Sequence, residues 1–138
     1  MKQFFLFLAF ALVTFLMTDV TSAAAPTPTT KFTLVSGLPS TMNVGDTYTV
    51  VVEVTSDTPF NIVQAMPDFY YPGRGVVAVQ GGDRAGSGTN ATLEVTFTAK
   101  SNTSQMMNGV APVNVVVAAR YQGGYVATSQ YAFNVAVP

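Results

Sequence analysis

Ala91-Thr92-Leu93-Glu94-Val95-Thr96-Phe97-Thr98-Ala99 decides the fold. Ala91, Leu93, Val95, Phe97 and Ala99 point one way and Thr92, Glu94, Thr96 and Thr98 the other, the period of two expected of a strand with one dry and one wet face. Residues 48–56 repeat the pattern, with Tyr48, Val50, Val52 and Val54 on one side and Thr49, Glu53 and Thr55 sharing the other with Val51. Shorter runs at 32–36, 60–66 and 76–80 read as further strands, punctuated by Gly37 and Pro39, by Pro67, and by the Pro72-Gly73 turn. Residues 113–121 are apolar on both faces through Val116 and Ala118, which predicts a central strand covered on both sides or one that meets a partner. Gln122-Gly123-Gly124 then closes a hairpin into a last strand over 125–137. From Ala24 onward the chain holds 19 Val and 15 Thr but three Leu and two Glu, so β-branched residues abound while straight-chain helix formers are scarce.

About seven short strands at regular spacing predict an immunoglobulin-like antiparallel β-sandwich, with a jelly roll as the structural alternative. The run Gly37-Leu38-Pro39-Ser40-Thr41-Met42-Asn43-Val44-Gly45-Asp46-Thr47-Tyr48-Thr49-Val50 resembles the opening of bacterial extracellular immunoglobulin-like domains, where a Pro precedes a Val-Gly-Asp turn into the second strand. The resemblance is one of fold and brings no catalytic or binding motif with it. The Cys and Trp of antibody cores are missing from this chain.

Residues 1–23 read as a signal peptide: Lys2 supplies an early positive charge, Phe4 to Met17 form a short apolar core, and Thr21-Ser22-Ala23-Ala24-Ala25 offers small residues at cleavage spacing. That core is too short for a spanning helix, which needs about 20 apolar residues. Residues 24–31 form a Pro/Thr-rich tether and 32–138 the sandwich domain. The expected product is secreted or held at the cell surface, with the periplasm as an alternative, and without stable membrane insertion after cleavage.

The composition excludes several chemistries. The 138 residues contain no Cys, His or Trp, which removes zinc fingers, thiol nucleophiles, Ser-His-Asp triads and the common haem and copper sites. Six basic residues against seven acidic ones leave a net charge of −1 and no basic patch for nucleic acid. Calcium sites need clustered oxygen ligands, whereas Asp46, Asp57 and Asp83 stand singly at loops, where acids commonly cap backbone turns. No cofactor and no metal is expected.

Asp68-Phe69-Tyr70-Tyr71-Pro72-Gly73-Arg74-Gly75 gathers three aromatics and an Arg beside a turn, a mix suited to binding or to stacking on sugar rings. Tyr70, Tyr71 and Arg74 are therefore the candidate ligand-binding residues, although aromatics in such a stretch also finish cores. Asn90-Ala91-Thr92 and Asn102-Thr103-Ser104 match the N-glycosylation pattern and make Asn90 and Asn102 candidate acceptors. Met106-Met107 can plug a core end or make a soft contact. The glycine-rich stretch 81–89 matches no phosphate motif and reads as a loop.

With only 9% charged residues, little repulsion keeps copies of this chain apart. The leading expectation is a non-enzymatic exported structural or adhesive surface protein that self-associates or meets another surface protein or glycan. Assembly then rests on residues 26–36 adding a strand to a neighbour, or on the last strand. An extracellular carbohydrate-binding module is the alternative. A small secreted hydrolase using Glu53 and Glu94 comes third, since paired carboxylates need a cleft.

Overall fold

The computed structural model describes residues 24–68 and 70–138. The signal-peptide reading of residues 1–23 lies outside them, as does Phe69. Eight strands follow in order: β1 (Thr30–Ser36), β2 (Thr47–Phe60), β3 (Ile62–Pro67), β4 (Val77–Val79), β5 (Asp83–Ala85), β6 (Gly88–Ala99), β7 (Ala111–Arg120) and β8 (Val126–Val135). They form two four-stranded antiparallel sheets, ordered β1-β2-β6-β4 and β5-β3-β7-β8. The fold is an immunoglobulin-like antiparallel β-sandwich.

The alternation read from the sequence explains the core. Val50, Val52 and Val54 of β2 and Leu93, Val95, Phe97 and Ala99 of β6 are buried, facing Val63 and Ala65 of β3 and Val113, Val115, Val117 and Ala119 of β7. Each Val, Leu or Phe side chain among them contributes roughly 1.5–3 kcal/mol when fully buried. β2 and β6 pair along most of their length, from Thr47↔Thr98 to Thr55↔Asn90. On the wet face of that pair the Thr47 and Thr98 hydroxyls meet at 3.0 Å and those of Thr49 and Thr96 at 2.9 Å, cross-strand bonds that tie the two longest strands together.

The turn before β2 forms as its residues predict. Gly45 takes φ 93° and the Asp46 N–H donates to the Asn43 carbonyl at 3.0 Å. The Asp46 carboxylate accepts the Asn43 N–H at 2.8 Å, closing the loop onto itself. An L side chain at position 45 would carry the strain of the left-handed region.

Three details differ from the sequence reading. Phe60 does not open β3 but ends β2, buried, beyond a register break, and the chain crosses to the second sheet at Asn61. The glycine-rich stretch is not all loop: Asp83–Ala85 pair with Val63–Ala65 of β3, and β6 already begins at Gly88. Residues 32–36 belong to this chain's own β1, paired with β2 from Thr30↔Ser56 to Ser36↔Val51. β1 therefore begins two residues before the anticipated domain start.

The two sheets are joined at both ends. At one end the Tyr121 hydroxyl donates to Ser56 Oγ at 2.8 Å and lies 2.6 Å from Thr30 Oγ1, while its ring packs edge-on to Phe60. At the other, the Met42 N–H donates to the Ala136 carbonyl and the Ala136 N–H to the Ser40 carbonyl, both at 2.9 Å. The buried Thr103 side chain grips both the N–H and the carbonyl of Val137, pinning the loop between β6 and β7 to the chain's last residues.

Candidate functional site

The aromatic stretch after β3 is folded by its own polar groups. Asp68 donates its N–H to Asn114 on β7 at 2.9 Å and accepts the Tyr70 N–H on its carboxylate at 3.0 Å, turning the chain away from the sheet. Pro72 then starts a single turn of 3-10 helix, Pro72–Gly75, as a residue with fixed φ and no N–H does readily. Gly73 lets that turn lie against β7: a Cβ there would sit 2.6 Å from the Pro112 carbonyl oxygen.

This turn separates the three residues the sequence groups together. Tyr71 points inward, 4% exposed, and its hydroxyl donates to the Val77 carbonyl at 2.9 Å. Burial pushes its phenol above the usual tyrosine value, an effect the nearby Arg74 charge partly opposes. Tyr71 thus holds the loop to the core and presents no ring face outward. Tyr70 is 92% exposed and Arg74 is exposed, so these two remain at the surface.

Close by, the loop between β6 and β7 adds the second stretch noted in the sequence. Met106 packs against the core, whereas Met107 is 85% exposed. Asn108 follows with φ 58°, the non-glycine left-handed residue among those described, and holds the loop tip in the shape that turns Met107 outward. Pro72, Pro112, Met106, Met107, Val110, Asn108 and Asn134 line a cleft of about 340 Å³. No charged side chain lines it.

The carboxylates are engaged elsewhere. Asp57 accepts the Thr29 N–H at 2.9 Å and the Thr58 hydroxyl at 3.0 Å, and the Thr29 bond chiefly holds its carboxyl below the usual aspartate value. Asp83 accepts the N–H groups of Arg84 and Glu94, each at 2.8 Å. Among the described residues no three carboxylates gather as a metal site would require. Glu53 and Glu94 share the wet face of the first sheet on adjacent rows, opposite Thr92 and Val51. Glu53 lines a shallow hollow with Thr55, Asn90 and Thr92, and Glu94 does not reach it. Asn90 is exposed on β6, and Asn102 is exposed in its loop, where its side-chain oxygen accepts the Ser104 N–H at 3.2 Å.

The strand edges complete the inventory of surfaces. β4 and β5 are edges of three residues each, and beyond β4 the Asp83 carboxylate occupies the next free N–H of β6. β1 carries Lys31 and a register break between Leu34 and Ser36. β8 has ten residues, none of them charged, and β7 is its one neighbour in the sheet. The outer face beside it is built from rows read as Met66, Val116 and Gln130, then Gln64, Ala118 and Thr128, then Ile62, Arg120 and Val126, of which Arg120, Val126, Thr128 and Gln130 are exposed, Ala118 is buried and the rest are half-buried. Val116 was expected to be covered or to meet a partner; its strand lies between β3 and β8 in the sheet, and Val116 is half-buried.

No helix among the described residues is long and apolar enough to cross a membrane. No protein-family model matches the chain, and no curated protein matches it. Among solved structures, the native conformation of Escherichia coli alpha-2-macroglobulin, reconstructed by cryo-electron microscopy, is similar over 82% of this chain at 15% sequence identity and a TM-score of 0.47. The match spans 7% of that much longer protein.

Proposed function

We propose that this protein is a non-enzymatic exported structural or adhesive module that self-associates through the free edge of β8. The observation that carries the reading is the contrast among its edges. Natural β proteins blunt their edges with short strands, charges and irregularities, because an exposed row of N–H and C=O groups templates pairing with another chain. Three edges here are blunted in those ways, whereas β8 carries no charge, and the chain's own Ser40–Met42 pairs only with its continuation at Ala136. Two copies of β8 pair antiparallel about a two-fold axis at Gln130, so that residue 128 faces 132 and 126 faces 134, with no charge brought against its like. The half-buried Met66 and Val116 beside Gln130 then continue into the same row of the partner.

The test is Gln130→Lys. It sets two ammonium groups opposite each other at the centre of the pairing, where like charges destabilise a sheet. Its effect on the folded monomer should stay within about 0.5 kcal/mol, as for other surface substitutions. Light scattering of the chain from Ala24 over a concentration series should give growing mass for the original chain and a monomer for the variant. Equal masses for the two overturn the reading.

A second reading has one observation in its favour, the 92% exposure of Tyr70, with Arg74 exposed four residues on. An exposed aromatic ring can stack on a sugar. Loss of binding to a glycan array on Tyr70→Ala, with Gln130→Lys still binding, would select it.

A further inference from the structure

The edge strands β1 and β8 flank one side of the sandwich and already meet at both ends of that side. At one end Thr41 pairs with Ala136 in parallel, the Met42 N–H donating to the Ala136 carbonyl and the Ala136 N–H to the Ser40 carbonyl, both at 2.9 Å. Next to it the chain lies so close to β8 that a Cβ at Gly37 would sit 2.6 Å from the Phe133 ring. At the other end the Thr30 hydroxyl is 2.6 Å from that of Tyr121, whose ring packs on Tyr125, the residue before β8. Between these ties the side stands ajar: Leu34 is paired with the buried Val52 and faces inward, yet is 38% exposed. We infer that residues 32–38 are a strap that zips onto β8 in parallel and closes the edge through which copies pair. The inference rests on the β8 reading of assembly and adds an internal competitor for that edge.

The existing bridge sets the register. Carried back along both strands, it places Pro39 opposite Asn134, Gly37 opposite Ala132, Val35 opposite Gln130, Thr33 opposite Thr128 and Lys31 opposite Val126. In a parallel ladder the donors toward β8 then follow Met42 at every second residue: Ser40, Leu38, Ser36, Leu34 and Phe32. Pro39, which has no N–H, falls on the row that needs none. On β1 the Thr29 carbonyl accepts the Asp57 N–H, so Thr29, Lys31 and Thr33 bond β2, while the N–H groups of Phe32 and Leu34 point to the open side. On β8 the Ala136 N–H points to Ser40, and the groups of Gln130 and Thr128 share that direction. Side chains agree as well. Phe32 and Leu34 face the buried Val54 and Val52, and Met42 on the bridged segment is buried, so one alternate set faces the core in both arrangements.

Ser36 is the latch of the open form. Beyond the register break in β1 it pairs with Val51, and its hydroxyl donates to the Thr49 carbonyl at 2.9 Å. Closing releases both contacts and turns the Ser36 N–H toward Gln130. The released hydroxyl and carbonyl lie at the surface, where water replaces the lost bond at modest cost. The closed strap occupies the N–H and C=O groups that otherwise template a second copy, so strap and partner compete for the same row.

Thr33→Cys combined with Thr128→Cys tests the strap in a chain that has no cysteine of its own. Both threonines are exposed, Thr33 on the outer face of the first sheet and Thr128 on that of the second, so the open form keeps them on opposite faces and the closed form sets them side by side. A disulfide needs Cα atoms within about 7 Å. The control combines Thr33→Cys with Ala132→Cys, displaced ~13 Å further along β8. In a glutathione buffer at micromolar protein, the matched pair should close within one chain roughly tenfold more than the control, and Ser36→Ala should raise its closure several-fold. No disulfide within the chain, or equal closure in the two pairs, overturns the strap. If the reduced matched variant loses its cooperative urea transition, Val35→Cys with Gln130→Cys repeats the test one pair along. The cross-linked chain should stay monomeric in light scattering at concentrations where its reduced form gains mass, and equal association of the two overturns the competition. A reduced chain monomeric at every concentration discards the β8 pairing while the cross-link still decides the strap, so the two readings fail separately.

Discussion

The two sheets draw on the same valines and threonines and leave different surfaces to the solvent. The β1-β2-β6-β4 sheet turns Thr47, Thr49, Thr96 and Thr98 outward in bonded pairs, with Glu53 and Glu94 between its rows. Its far edge ends in a three-residue strand and a carboxylate plug. The β5-β3-β7-β8 sheet keeps Ile62, Met66 and Val116 half-buried on its outer face and ends in a ten-residue uncharged strand. The first sheet still leaves Leu34, Val35 and Tyr48 exposed, so the two sheets differ at their edges more than on their faces. The second sheet ends at β8 without a charged residue, and that contrast of edges is what the proposed pairing rests on.

The comparison assumes one core shared by both sheets. Phe97→Ala deletes a ring with no exposure from the β6 side of that core and should cost about 3–5 kcal/mol in urea unfolding, as one cooperative transition. Two transitions would mean that the sheets melt apart and the comparison is between independent halves. Asp83→Ala tests the plug. It strips the Glu94 N–H of its acceptor, at roughly 0.5–1.5 kcal/mol, and should give the first sheet an open edge that raises its mass in solution. Lost stability without added mass would show that the plug does not guard that edge.

The smallest effect lies at the tether root. The Thr29 N–H favours ionised Asp57, so the folded carboxyl sits below 3.8. The sign follows directly: the contact is present above the unfolded pKa and lost as pH falls through the lowered folded value. The Thr29 amide resonance should move with a midpoint below 3.8 while amides of β7 stay still. A midpoint at or above 3.8 contradicts the contact.

Where side-chain alternation governs a strand, its pattern was readable: the inward set of Ala91, Leu93, Val95, Phe97 and Ala99 is buried or packed on the core as the period of two requires. β5 escaped because Asp-Arg-Ala has no apolar alternation, and its pairing with β3 comes from tertiary context alone. Phe60 was assigned one strand late because a crossing between sheets at a single residue leaves no turn signature. The aromatic cluster was visible as composition, but adjacency in sequence concealed that one 3-10 turn sends Tyr71 inward and leaves Tyr70 out. The cleft could not be read at all, since Pro72, Met107 and Asn134 lie dozens of residues apart and meet only through the folded sandwich.

Amide hydrogen exchange on β8 at low and high protein concentration tests the central claim most directly. In a β8 pair, the amides of β8 that point away from β7 lose their exposure. The account predicts that they become protected as concentration rises, that those of the β1 edge do not, and that Gln130→Lys removes the protection. Concentration-independent exchange along β8, or protection appearing first on β1, would contradict it.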